Sequence, residues 1–363
     1  MQFIKDVNAA LNECSPNLEI AKEFLSPLCA VPRYIIGRND EAASVLDLIK
    51  PDGIIDDFAK GVLFWQGVPV VKLGSVPANA IVLNCSTSIS PVGVMDALAN
   101  AGIRKILNYC DLVPLEEAKF DWPWFVSQQR DDWINNQAEW AQIFDLMADE
   151  ESKQTLLDVV RYRLTAEPAV MRAYTVRMRD QYFENFMRLE NEVFVDAGGF
   201  DGDTTEEFCL RYPDYSAVYL FEPSPGNITA ARKRLAGRDR IKFYQLGLSD
   251  SSGTLHFDSD AGSASSVSAA GDTTIEVVKL DDVISERISF IKMDLEGWEM
   301  NALAGCSRHI REDFPKLAIS VYHAAEDFRK IPAYILSIQP GYKIYLRHYT
   351  QGWSETVMYF MPN

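Results

Sequence analysis

"VFVDAGGFDGDTT", Val193 to Thr205, is the stretch whose reading decides the fold: an apolar run enters a glycine-rich turn and then a helical pattern. Read from Ala197, the turn Ala197-x-Gly199-x-x-Gly202 nearly fits the dinucleotide fingerprint. Yet Asp196, Asp201 and Asp203 crowd the place where a pyrophosphate would sit. A helix N-terminus welcomes phosphate, but like charges at close range cost strongly in a partly buried site. A cationic ligand reverses that sign. S-adenosylmethionine carries a sulfonium and an ammonium and no phosphate, so it suits an acidic turn. Gly198 and Gly199 let a ligand approach the backbone. The candidate cofactor contacts here are Asp196, Gly198, Gly199, Asp201, Gly202 and Thr204.

Working outward, apolar runs predict strands at 192–197, 217–222, 241–246, 254–258, 275–280, 288–294, 316–323, 342–349 and 355–361. Helices are expected at 204–211, 226–236, 298–312 and 325–338. The link Gln351-Gly352-Trp353 is too short for a helical crossover, so the last two strands should pair antiparallel at one edge of a mostly parallel sheet. The Ser/Ala/Gly-rich segment 259–271 reads as a mobile loop. Upstream, Tyr34–Ile36, Gly53–Ile55, Val68–Leu73, Ala80–Asn84 and Lys105–Tyr109 alternate with helical stretches, which argues a smaller open α/β sheet. Residues 116–190 carry Trp122, Trp124, Trp133 and Trp140 with helical periodicity and no convincing strand. The expected domains are therefore 1–115, a Rossmann-like α/β unit; 116–190, a helical connector; and 191–363, the main α/β domain.

Composition narrows the function. With 47% hydrophobic and 24% charged residues the chain has ample material for packed cores. Its formal net charge of −17 disfavours nucleic acid and anionic membranes as partners. No apolar run suggests a leader or a membrane span, and the six cysteines form no C-x-x-C pair, so reduced thiols in a cytoplasmic protein are the expectation.

Ligands of open α/β sheets bind beyond the carboxyl ends of the strands. Glu222-Pro223 ends the second main strand, about one βαβ return after Asp196, where a carboxylate accepts from both ribose hydroxyls. Leu248 and Ser249, with Asp250, follow the third and could hold an adenine ring. The segments "VFVDAGGFDGDTT", "LFEPSP", "QLGLSDSSGTLHF", "VVKLDDV" and "ISFIKMDLEGWEMNALAG" resemble, in order and spacing, the FkbM family of S-adenosylmethionine-dependent methyltransferases. "RYRLTAEP" and "DQYFENFMRL" look like that family's lead-in helices. The resemblance implies a class I methyltransferase fold, with a seven-stranded Rossmann-like sheet whose last strand is antiparallel. It also implies methyl transfer to an oxygen, commonly on sugars or other natural-product hydroxyls.

Methyl transfer needs a hydroxyl in line with the S–CH3 bond and a group to take its proton. Asp294 and Glu296, in Ile291-Lys292-Met293-Asp294-Leu295-Glu296, are candidates, alone or through a divalent ion held by oxygen ligands. Both could instead orient the cofactor's amino group or cap a helix. His323, expected to end the fifth strand, is the leading general base because histidine titrates near neutrality. His256, His309 and His348 are weaker candidates, His348 as an exposed hairpin residue, and no histidine–carboxylate spacing resembles a transition-metal site. In the first domain, Gly37-Arg38-Asn39-Asp40 keeps one glycine; Arg38 could meet a phosphate of a nucleotide-linked substrate, or the unit could serve docking or homo-oligomerisation. Two other function classes stay open: a non-catalytic ligand-binding scaffold and an NAD(P)-dependent oxidoreductase.

Overall fold

Ile81-Val82-Leu83-Asn84 is buried at every position, as a strand covered on both faces must be. It is the fifth strand of the first sheet in a computed structural model that describes residues 2–12, 15–257 and 273–363. The chain divides into two units: Met1–Gln137 with Leu156–Val176 and Thr350–Ser354, and Ala138–Thr155 with Arg177–Tyr349 and Glu355–Asn363. The helix Trp124–Leu146 leaves helical geometry at Asn136, beside the division between them.

The first unit holds β1 (Arg33–Ile36), β2 (Gly53–Ile55), β3 (Phe64–Trp65), β4 (Val68–Val71), β5 (Ile81–Asn84) and β6 (Lys105–Asn108). Their order is β3-β4-β2-β1-β5-β6, parallel apart from the β3–β4 hairpin. One face packs Phe24, Val45, Ile54 and Leu107; the other packs Ile55, Val82, Leu98 and Ile103. The expected strands are present, and β3 is an addition at the edge.

The second unit is built on seven strands: β7 (Val193–Ala197), β8 (Ala217–Phe221), β9 (Ile241–Tyr244), β13 (Phe290–Met293), β14 (Lys316–Ser320), β15 (Tyr342–His348) and β16 (Thr356–Pro362). The order is β15-β16-β14-β13-β7-β8-β9, and only β16 runs against its neighbours. This is the class I methyltransferase sheet with its antiparallel last strand. Because β7 and β13 are adjacent at the centre, their carboxyl ends open onto one another.

Some elements differ from expectation. The strands near 254–258 and 275–280 leave the main sheet: β11 (Gly253–Phe257) and β12 (Thr273–Val278) join β10 (Gly247–Leu248) in a separate three-stranded sheet. The single helix expected over 298–312 is two, Glu299–Ala304 and Ser307–Glu312, because at Gly305 the chain passes against the Ser249 carbonyl. β14 stops at Ser320, so His323 lies in the turn after it. His348 is buried rather than exposed, its Nδ1 2.8 Å from the Thr356 hydroxyl. Segment 259–271 lies outside the described residues. The five described cysteines are all unpaired, and among the described residues no helix is long and apolar enough to cross a membrane.

Candidate active site

The turn after β7 is shaped by its neighbours. Gly198 has φ +77, and a side chain there would place its Cβ 1.9 Å from the Asp294 carbonyl oxygen. The glycine thus lets the β7 turn press directly on the end of β13. Gly199 gives the room taken by Leu220, and Gly202, at φ +86, starts the helix Asp203–Arg211 without any side-chain cap.

The aspartates of this turn are not a free ring. Asp196 is fully buried, with Oδ1 3.1 Å from the Lys292 ammonium and Oδ2 accepting from Thr205 at 2.7 Å. Lys292 also donates to the Gly198 carbonyl at 2.7 Å. Burial works against that ammonium, but Asp196 and then Asp294 outweigh it and raise its pKa. Asp201 is paired with Arg234. Two of the three carboxylates are therefore neutralised within the fold, so the turn discriminates a sulfonium from a diphosphate by charge far less than its sequence suggests.

Glu222 is buried at the end of β8 and accepts from the Phe200 amide at 3.1 Å and the Ser224 amide at 2.8 Å. It ties the first and second βα turns together. Desolvation raises its pKa, with these bonds opposing the rise. Pro223 follows it. Leu248 and Ser249 are buried, and the Ser249 hydroxyl accepts from the Trp298 indole at 3.2 Å. Thr204 is half-buried beside Asp203, whose carboxylate accepts its amide at 2.7 Å.

Beyond β13 and β14 the chain gathers an unusual density of carboxylates. Asp294 accepts from the Tyr182 hydroxyl at 2.7 Å and lies 3.4 Å from both the Tyr322 hydroxyl and His323 Nε2. Glu296 Oε2 lies 3.4 Å from the same nitrogen, and Glu299 Oε1 lies 3.0 Å from His323 Nδ1. These are ion-pair distances, yet neither ring nitrogen is aligned in a hydrogen bond. Burial alone would drive the proton off His323, but Glu299, Glu296 and Asp294 hold its pKa well above the ordinary imidazole value. The surrounding carboxylates thus favour the protonated ring over the neutral one. Burial raises Glu296 in spite of His323, and burial followed by Asp294 lifts Glu355 to about 7.

Backbone strain gathers here as well. Tyr182 (φ 71), Glu296 (φ 52) and Glu355 (φ 67) are all left-handed without being glycine, a conformation that surrounding structure must enforce. The fold therefore brings together the three residues expected from sequence, Asp294, Glu296 and His323. It adds Tyr182, Glu299, Tyr322 and Glu355, which sequence reasoning missed. Glu299 and Tyr182 stood inside quoted segments and Tyr322 at the end of a predicted strand without being singled out; nothing local marked Glu355. His256 pairs in the smaller sheet and His309 is buried against Asp313, both apart from this cluster.

Comparison with known proteins agrees with this geometry. Residues 196–344 match the methyltransferase FkbM domain. The fold is similar to the crystal structure of methyltransferase FkbM from Methylobacillus flagellatus KT, with a TM-score of 0.76 over 99% of this chain and 98% of that one at 24% identity. The 2-O-methyltransferase NoeI of Sinorhizobium fredii (strain NBRC 101917 / NGR234) is 25% identical over 138 residues, covering 31% of this chain and 56% of that protein. The match thus spans little more than half of that relative's length. The matched region begins within β7, takes in the glycine turn and ends inside β15, short of the antiparallel β16, so the second unit carries a methyltransferase FkbM domain.

Proposed function

We propose that the second unit transfers a methyl group from S-adenosylmethionine to a hydroxyl oxygen of a saccharide or related small metabolite. The observation that carries this reading is the packing of Gly198 against the Asp294 carbonyl, which sets the cofactor turn beside Asp294, Glu296 and His323. Gly198 and Gly199 would receive the cofactor's amino-acid end along the backbone, and Glu222-Pro223 its ribose. Leu248 and Ser249 would flank the adenine. Asp196 and Asp201 would act indirectly, by fixing Lys292 and the turn. In the reaction the acceptor oxygen bonds the methyl carbon as the C–S bond breaks. Sulfur keeps the bonding pair and leaves as the thioether, and the hydroxyl proton passes to a carboxylate. Glu296, a third exposed, is the most open member of the cluster and the best placed to take it, with Asp294 and His323 holding the acceptor. The similarity to a 2-O-methyltransferase supports oxygen as the acceptor atom.

Calorimetry of the full chain tests the cofactor: S-adenosylhomocysteine binds and NAD does not. Binding of NAD alone would return the site to hydride chemistry. Labelled methyl transfer to a panel of glycans and nucleotide sugars tests the reaction; donor binding with no acceptor ever turned over would favour a scaffold. Asp294→Asn should abolish turnover while leaving S-adenosylhomocysteine affinity within roughly tenfold, about 1.4 kcal/mol.

A further inference from the structure

We propose that Asp294, Glu299 and His323 form a binding site for one divalent first-row transition ion. One ligand atom from each lies within 4.8 Å of the other two. Donors bonded at about 2.1 Å in a tetrahedral arrangement stand about 3.4 Å apart, so an ion would need to draw the widest pair inward by up to about 1.4 Å. Two buried side chains of the cluster carry polar atoms with no hydrogen bond, although they stand within ion-pair distance of one another. Glu299 is 1% exposed, and while its Oε1 accepts from the Leu295 amide at 2.7 Å, its Oε2 has no hydrogen-bond partner. The His323 side chain is 9% exposed and neither ring nitrogen makes a directed hydrogen bond. Buried polar atoms are ordinarily satisfied, so orphans on two adjoining side chains ask for a common partner. Three carboxylates, Asp294, Glu296 and Glu299, converge on one imidazole, so a divalent cation is the partner that would balance them when the ring is neutral and free to ligate. Two carboxylates with one imidazole suit manganese or zinc better than magnesium, which prefers oxygen ligands and keeps its waters. The first ligand shell is already supported: the Tyr182 hydroxyl holds Asp294 and the Leu295 amide holds Glu299. The site's existence is independent of the methyl-transfer reading; only its purpose, gripping the acceptor hydroxyl, rests on it.

The test uses the full chain stripped by chelator, with no methyl donor or acceptor. Mn2+ is titrated in and the free aquo ion followed by electron paramagnetic resonance. One ion per chain should bind, Zn2+ should displace it, and equimolar Mg2+ should not. Glu299→Gln and His323→Asn should each weaken Mn2+ at least about tenfold, while Glu326→Gln, an exposed acid paired with Lys330, leaves it unchanged. Should either variant fail to fold, the unaltered chain still decides: its thermal midpoint rises with Mn2+ and falls back with chelator. No stoichiometric Mn2+, equal affinity in folded variants, or a midpoint indifferent to the ion would overturn the site. S-adenosylhomocysteine binding, measured separately, fails or succeeds on its own account.

Discussion

Each unit begins its sheet with the same device, a central parallel strand running through glycine into a helix, but the two turns are finished differently. After β1, Asn39 accepts from the Ala42 amide at 3.1 Å, donates to the Cys85 carbonyl at 2.7 Å, and so caps the helix Asp40–Leu46. Arg38 pairs with Asp56 at 2.8 Å. After β7, the helix starts at Gly202 with no side chain over it, and the groups nearest the turn's far side are half-satisfied carboxylates. Capping stabilises a helix by about 1 kcal/mol, and the helix after β7 forgoes it; under the proposed function, that uncapped turn is the one that receives the cofactor. One turn is closed upon itself; the other is not.

The largest expected effect sharpens that contrast. Gly198→Ala sets a methyl group 1.9 Å from a backbone oxygen at φ +77, and should cost about 3 kcal/mol or more of stability in urea unfolding. Gly37→Ala meets nothing nearer than Cys85 Cβ, at 3.2 Å, and should cost about 1–2 kcal/mol through its φ of +115. Equal losses would mean that the second turn is no more tightly built against its neighbour than the first.

A smaller effect tests the ligand itself. Glu222→Ala should weaken S-adenosylhomocysteine by roughly 10- to 100-fold, about 1.4–2.7 kcal/mol, by losing ribose hydrogen bonds and loosening the Phe200 and Ser224 amides. Arg38→Ala, acting on the closed turn, should leave that affinity within about twofold. A matching loss in calorimetry for both would break the assignment of the cofactor to the second unit.

Much of this architecture was legible because buried strands are written as apolar runs. β5, β7, β8 and β13 stand where those runs predict, and the short Gln351–Trp353 link foretold the antiparallel strand. Asp294, Glu296 and His323 were legible because each lies at or just beyond a strand end. The charge of the turn was not. Lys292 faces Asp196 across the β7–β13 register, and that neighbour exists only once the two strands are known to be adjacent. Tyr182 arrives from a stretch of short 3-10 turns, and Glu355 from the residue before β16. Neither belongs to a periodic pattern, so nothing in the local sequence could direct it to Asp294.

The smallest effect concerns buried acids, one from each unit, in the metal-free chain. Asp111 accepts from the Ser15 hydroxyl at 2.6 Å, the Asn17 amide at 3.1 Å and the Asn108 backbone at 2.8 Å. Asp327 accepts from the Ala324 amide at 2.9 Å; burial first, then Glu299, lifts its pKa from 3.8 to about 7. The folded chain therefore binds Asp327's proton more tightly than the unfolded chain does. Its contribution is most favourable below pH 3.8 and is lost as pH rises to about 7, where the buried anion must be carried. Asp327→Asn removes that anion and keeps an oxygen for Ala324. Its stability relative to the parent should climb between about pH 4 and pH 7 and reach a gain on the order of 1 kcal/mol at pH 8. Asp111→Asn, which forfeits an acceptor oxygen, should lose about 1 kcal/mol at the same pH. Opposite signs at pH 8 are what a satisfied acid in one unit and a burdened acid in the other require; a loss in both variants would place Asp327 among the ordinary structural carboxylates.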